Sequence, residues 1–193
     1  MLKKYIVCIF LFYQKIVVIF ILKTFFFSQL LNSLRVKQLK TWSWKKKDYF
    51  SQKEVELALV EIKNQINQSN FFPEIIFSIN RGGCIPGVYL SHILNIPHHV
   101  IDIQLRDQKN NINISNLLES AKLEKNILIV DDINDTGATF NFVKNSLAEY
   151  KGNFSYTSLI ENKSSDFKVD FKGKIIDKKI NPNWVIFPWE NFN

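Results

Sequence analysis

Apolar and polar residues in this chain fall into short blocks with two different periods. Between residues 52 and 68, Val55, Ala58, Leu59, Ile62 and Ile66 recur at the spacing of one helix face. Ser51 precedes them and Glu54 follows three residues on, a capping-box pattern, so a helix is predicted over 52–68. Pro73 introduces an apolar block read as a strand over 74–79, and Asn80-Arg81-Gly82-Gly83 then reads as a loop. Pro86 suits the first residue of a helix that runs to Leu94. A strand is predicted over 99–104. Residues 105–125 are polar and rich in Asn and Lys, with one short helical stretch at 115–122. Ile127-Leu128-Ile129-Val130 is a continuous apolar run and predicts a fully buried strand over 127–131. A helix should follow from about 138 to 150, stopped by Gly152. A strand at 154–160 and short strands near 168–171 and 183–187 complete the pattern. Helices alternate with strands, which predicts an α/β fold with a mainly parallel sheet flanked by helices on both faces.

The first 38 residues read differently from the rest. Residues 5–22 are almost wholly apolar, broken by Gln14 and Lys15, and are followed by Lys23 and Phe25-Phe26-Phe27. That length can span a bilayer, but Lys15 near its middle would cost about 2.5–3.5 kcal/mol on insertion. No small-residue cleavage site marks a secretory signal. Three readings stay open for 5–34: a membrane anchor with the basic run 35–47 on the cytoplasmic side, an interfacial helix, or an extension from an over-long start. The division expected is therefore 1–38 as an apolar and basic extension and 39–193 as the functional domain.

Composition adds bounds. The chain has 193 residues, 46% of them hydrophobic, which suits one ordinary core plus an extension. The formal charge of +7 is concentrated at Arg35, Lys37, Lys40, Lys45, Lys46 and Lys47. Such an excess suits an anionic partner, and a solvated basic linker explains it equally well. Cys8 and Cys84 form no disulfide framework or zinc spacing, and His92, His98 and His99 form no metal motif. A reducing compartment is the default, so the cytoplasm is the expected location, with membrane association through residues 5–34 as the alternative.

The chemistry concentrates after the buried strand. Asp131-Asp132 are followed by Asp135-Thr136-Gly137-Ala138-Thr139 at the start of a helical pattern. Carboxylates left unpaired in a core are costly, so they are expected at the strand's open end, where open α/β sheets bind ligands. Backbone N–H groups at a helix start, with two threonine hydroxyls beside them, suit a phosphate. Arg81 can neutralise anionic oxygens with paired donors, and Gly82 and Gly83 allow close backbone approach to an anion.

The stretch 131–139 resembles the 5-phosphoribosyl-1-diphosphate (PRPP) motif of type I phosphoribosyltransferases. Residues 80–83 and Trp184-Val185-Ile186-Phe187-Pro188-Trp189-Glu190 match two more segments in the order found in the xanthine/hypoxanthine–guanine enzymes of bacteria and archaea. The resemblance covers roughly residues 39–193. It implies the type I phosphoribosyltransferase fold, with a mobile loop at 104–125, in which Lys109 is a candidate pyrophosphate contact, and a small C-terminal base-binding segment. It implies a pentosyltransferase of purine salvage that moves ribose 5-phosphate from PRPP to guanine, xanthine or hypoxanthine.

In that reading Asp131 and Asp132 hold the ribose hydroxyls and Mg²⁺, the expected cofactor. Residues 135–139 hold the 5′-phosphate, with Ala138 where the family usually has Gly. Asp135 exchanges a proton with purine N7, and Arg81 offsets the leaving pyrophosphate. Asn80 stands where purine members often have Ser, and a cis peptide is expected between Asn80 and Arg81. Trp184 would stack on the base, while the backbone near Val185 and the Glu190 carboxylate would read its 2-position. Lys163 matches the lysine that donates to the 6-oxo group. Core packing of Trp184 and Trp189, with Glu190 solvated, is the plainer reading of that segment taken alone. The resemblance also implies a homo-oligomer and no nucleic-acid partner. A non-catalytic PRPP-sensing regulator of the same fold is the alternative, although residues 1–38 are too short and apolar to be the DNA-binding domain such proteins usually carry. A membrane-tethered binding module is the third reading and rests on 5–34 alone.

Overall fold

The structure is a computed structural model that describes residues 46–103, 105 and 112–190. The apolar stretch 5–34, Lys109 and the basic residues before Lys46 lie outside the described residues. Lys46–Asn193 form one compact unit. Among the described residues, no helix is long and apolar enough to cross a membrane.

In chain order the elements are β1 (Lys47–Tyr49), α1 (Gln52–Gln68), β2 (Ile75–Asn80), α2 (Cys84–Leu94), β3 (His98–Ile103), β4 (Ile112–Asn113), α3 (Ser115–Lys122), β5 (Asn126–Asn134), α4 (Ala138–Ser146), β6 (Asn153–Asn162), β7 (Phe171–Ile176) and β8 (Trp184–Ile186). A 3-10 turn, Pro188–Glu190, follows β8. Six strands form the main sheet in the order β4-β3-β2-β5-β6-β7, parallel except for the β3–β4 pair.

Both faces of the sheet are covered, as a continuous apolar strand requires. Leu128 and Val130 face a cluster with Val55, Leu59 and Ile62 of α1 and Leu90 of α2. Ile127 and Ile129 face the opposite cluster, with Leu117 of α3 and Phe140 and Val143 of α4. This is the α/β architecture that the sequence pattern predicts.

Local signals place α1 well. The Ser51 N–H donates to Glu54 Oε2 (2.8 Å) and the Glu54 N–H donates back to Ser51 Oγ (3.3 Å). Lys174 Nζ on β7 lies 2.9 Å from Glu54 Oε1. The Ser51 backbone N–H, followed by Lys174, holds the Glu54 carboxyl down at about 2. Ser51→Ala should therefore lower the unfolding free energy by about 1 kcal/mol, read from the urea midpoint; an unchanged midpoint would mean that the cap contributes nothing. The other end of α1 docks on the free edge of β7. The Gln65 amide donates to Lys172 O (2.8 Å) and accepts from Lys172 N (3.0 Å), satisfying backbone groups that no strand pairs.

Several boundaries differ from expectation. α2 starts at Cys84 with Gly83 as its N-cap, so Pro86 is its third residue, still within the first turn, where no intrahelical N–H bond is needed. α4 ends at Ser146, and residues 147–150 continue as hydrogen-bonded turns. Within 104–125, α3 coincides with the helical stretch predicted at 115–122, while the two-residue strand β4 was not predicted. β1 carries no apolar signal. Its place comes from parallel pairing with β8, Lys47 against Trp184 and Tyr49 against Ile186.

Candidate active site

The acidic strand does not end at its acids. β5 runs on to Asn134 because β6 keeps pairing with it, up to Asn134 against Glu161. On its other side the ladder with β2 stops at Ser78 against Val130. The chain leaves β2 through α2 towards β3 and leaves β5 through α4 towards β6, on opposite sides. The carboxyl ends of β2 and β5 therefore diverge, which is the topological switch point where α/β sheets form their crevice. A cleft of ≈ 1110 Å³ opens there, lined by Asn80, Arg81, Gly82, the whole stretch 131–140, Lys178, Trp184, Val185, Phe187, Trp189 and Glu190. The two carboxylates sit on the last turns of a strand paired on one side only, rather than beyond its end.

Asp132 N donates to Asp131 Oδ1 (2.9 Å). Burial, followed by the nearby Glu190 carboxylate, pushes the Asp132 carboxyl up to about 6. Glu190 is itself oriented by its own turn, with Oε2 accepting from Phe187 N (3.1 Å). Among the described lining residues, Asp131, Asp132, Asp135 and Glu190 are acidic, and only Arg81 and Lys178 are cationic. No three His, Cys, Asp or Glu side chains among the described residues converge into a complete metal site.

The loop 135–139 turns at Gly137, whose φ of 89° lies in the left-handed region. A Cβ there would meet Phe167 and Ser165. Thr136 Oγ1 accepts from Ala138 N (3.3 Å), and the Gly137 carbonyl accepts from Asn141 N to open α4. Ala138 is the first helical residue and is exposed, so its methyl group needs no special backbone geometry.

The Asn80–Arg81 peptide is cis. Asn80, which lines the cleft, is anchored to its neighbours: its amide donates to Asp102 Oδ1 on β3 (2.6 Å), and its Oδ1 accepts from Cys84 Sγ (3.6 Å). Arg81 is exposed at the cleft mouth. The two glycines also have a packing role that the sequence reading did not assign. A Cβ on Gly82 would run into the Asp132 carboxylate, and one on Gly83 into Val130 O, Ile79 O and Asp131 Cα. They let the loop close against β5 and its acids; Gly82 lines the cleft and Gly83 does not.

The far wall is a small hood. β1 pairs with β8, Trp184 N donates to Lys46 O (2.8 Å), and Asp48 accepts from the Asn183 amide (2.8 Å). Trp184 remains 39% exposed on the cleft, with Val185 beside it. Trp189 instead stacks on Phe187 (4.8 Å between centroids), and Phe187 packs edge-on against Phe50. The segment therefore divides between site and core.

Lys163 does not join this wall. Its side chain is exposed, it does not line the cleft, and its backbone groups are tied to Ile176 O and Lys168 Nζ. Lys178 stands there instead. Its Nζ lies 2.8 Å from Asp135 Oδ2 and 5.8 Å from the Trp184 ring centroid. Asn162 joins the pieces. Its amide donates to Asp135 O (2.9 Å) and Oδ1 (3.3 Å), and its Oδ1 accepts from Lys178 N (3.1 Å). Sequence reading missed both residues. Lys178 lies in a polar Asp-Lys-Lys turn without a pattern. Asn162 carried one usable signal, a polar residue closing a long, largely buried strand, the position where buried polar groups need partners.

The phosphoribosyl transferase domain matches residues 45–191. The chain is 23% identical over 155 residues to the xanthine-guanine phosphoribosyltransferase of Idiomarina loihiensis, covering 77% of this chain and 90% of that protein. Among solved structures it is similar to a purine phosphoribosyltransferase from Pyrococcus horikoshii, with 26% identity and a TM-score of 0.61, covering 77% of this chain and 96% of that one. It is likewise similar to the xanthine-guanine-hypoxanthine phosphoribosyltransferase of Helicobacter pylori, with 25% identity and a TM-score of 0.59 over 76% and 93% of the two chains. With the domain match spanning the whole sheet and both walls of the cleft, this chain belongs to the phosphoribosyltransferases and is a pentosyl-transferring enzyme.

Proposed function

We propose that the enzyme transfers ribose 5-phosphate from PRPP to N9 of a 6-oxopurine and releases pyrophosphate. The observation that carries this is one cleft lined by a helix-start loop (135–139), by acids along β5, and by an aromatic face with a cation, Trp184 with Lys178. The relatives' names agree with a purine as acceptor.

In this reading the N–H groups at the start of α4 and the hydroxyls of Thr136 and Thr139 hold the 5′-phosphate. Asp131 and Asp132 accept from the ribose hydroxyls. The bond from C1′ to the pyrophosphate oxygen breaks and a bond from C1′ to N9 forms. The proton the base gives up passes at N7 to Asp135 Oδ. Arg81 draws the pyrophosphate's charge.

The residues fit Mg²⁺. The described lining carries the hard carboxylate oxygens of Asp131 and Asp132, the donor type that Mg²⁺ takes one or two of, with ligand oxygens and waters as the rest. Asp131 and Asp132 would hold it, and it supplies charge neutralisation for the pyrophosphate when bound. In this reading the Glu190 carboxylate, which lines the cleft, reads the base's 2-position, where an acceptor favours an amino donor over a carbonyl oxygen. Guanine is therefore expected to outcompete xanthine.

The test is PRPP-dependent pyrophosphate release with guanine, xanthine and hypoxanthine. Release should be fastest with guanine at low base concentration. PRPP binding without release for any of the three would instead favour the regulatory protein.

A further inference from the structure

β3 carries one carboxylate, Asp102, between the buried residues Ile101 and Ile103. Asp102 is half-buried and does not line the cleft. A carboxylate taken partly out of water needs a donor. It has one in the Asn80 amide at 2.6 Å, a charge-assisted hydrogen bond. Asn80 is the last residue of β2. The ladder from β2 to β5 has already stopped at Ser78, so β3 holds this strand end, with Asn80 paired to Asp102. The Oδ1 of the same Asn80 side chain accepts from Sγ of Cys84, the first residue of α2. One side chain therefore ties the residue before Arg81-Gly82-Gly83 to the residue after them, and Asp102 fixes that side chain to the sheet. The loop's own bonds, Gly83 N to Ile79 O (3.0 Å) and Cys84 N to Arg81 O (3.2 Å), complete the brace. Only the Arg81 side chain is left to reach out, exposed at the cleft mouth.

We propose that Asp102 is a positioning residue for the leaving group: by fixing the Asn80 amide it sets the direction in which Arg81 leaves β2 and meets the pyrophosphate. The guanidinium is a planar fork on a long stem, and its paired donors match phosphate oxygens only when the start of that stem is aimed correctly. Without the carboxylate the Asn80 amide has no acceptor on β3. The end of β2 is then free to move on its unpaired side, and the Arg81 fork spreads over more directions. Asp102 touches neither PRPP nor the base and acts through Asn80 alone. Its loss should therefore be felt at the pyrophosphate end of the reaction and not at the purine. The inference rests on the purine-transferase reading above, in which Arg81 draws the charge of the departing pyrophosphate.

The experiment measures KM for PRPP and for guanine in the forward direction, and KM for pyrophosphate in the reverse direction with guanosine 5′-monophosphate. It does so for the wild type, Asp102→Ala, Asp102→Asn, Arg81→Met and the double variant of Asp102→Ala with Arg81→Met. Asp102→Ala should raise KM for PRPP and for pyrophosphate by about 10- to 100-fold, the scale on which a misplaced binding group acts. KM for guanine at saturating PRPP should stay at its wild-type value. Asp102→Asn keeps an acceptor oxygen for the Asn80 amide and should recover most of the loss. In the Arg81→Met background Asp102→Ala should add no further rise, because the two residues serve one contact. Unchanged KM for PRPP and pyrophosphate in Asp102→Ala, an equal rise for guanine, no recovery in Asp102→Asn, or additive effects in the double variant would overturn the assignment while leaving the transferase reading standing. If Asp102→Ala does not fold, Asp102→Val, a strand former without an acceptor, takes its place with the same expectations. Wild type releasing no pyrophosphate with any purine would instead remove the reading on which the assignment rests.

Discussion

Asp135→Asn is expected to lower kcat by about 10²- to 10⁴-fold, the usual span for loss of a positioned proton acceptor, while PRPP affinity stays within a few-fold. The substitution keeps the shape of the side chain. Asn162 still donates to the backbone carbonyl of residue 135 and to its side-chain oxygen. The phosphate loop from Thr136 to Thr139 keeps its turn, because that turn depends on Gly137 and on the bond from Ala138 N to Thr136 Oγ1. What disappears is the basic oxygen and the ion pair with Lys178. Steady-state kinetics with a separate measurement of PRPP binding resolve the two effects. Unchanged turnover would remove Asp135 from proton transfer, and a loss of PRPP affinity as large as the loss of kcat would make its role structural.

Gly137→Ala should be among the most damaging single-methyl additions in the chain. An L-residue at φ 89° costs about 1–2 kcal/mol. The new Cβ would also stand 2.8 Å from Phe167 Cβ and 2.8 Å from Ser165 Oγ. Neither neighbour has room to retreat. Phe167 is buried, stacked on Phe140 at 5.3 Å and edge-on to Tyr156 at 4.9 Å. Ser165 Oγ donates to Asn134 Oδ1 (2.9 Å), and the Asn134 amide donates to Phe167 O (2.8 Å). Overpacking such a site adds about 1–3 kcal/mol, so a total loss of roughly 2–5 kcal/mol is expected in urea unfolding. PRPP affinity should fall with it, since relief of the strain moves the 135–139 loop. A variant with wild-type stability and PRPP affinity would show that the loop tolerates a Cβ.

Local signals carried much of the fold. The capping box at Ser51 and Glu54, with one apolar face behind it, defines α1 at Gln52–Gln68 without help from the rest of the chain. The unbroken run 127–130 announces burial on both faces, because its alternate residues must serve opposite core clusters. Where the signal is a partner rather than a pattern, the reading stopped short. β5 extends three residues past Asp131 because β6 pairs with it. β1, charged and three residues long, is a strand because β8 lies beside it. Gly82 and Gly83 read as glycines for close backbone approach to an anion, and only the fold shows that a Cβ on either would also meet Asp132 or the backbone of β5.

The sequence by itself determined the α/β class, the acidic strand followed by Asp-Thr-Gly, the Arg-Gly-Gly loop and the aromatic C-terminal segment, since each is written in neighbouring residues whose backbone geometry is local. Only the tertiary structure decided which lysine faces the cleft. Lys163 directly follows β6, is exposed and does not line the cleft, while Lys178 reaches Asp135 across 43 residues and is steadied by Asn162. A long flexible side chain is assigned by what surrounds its tip in space, and chain spacing carries no information about that.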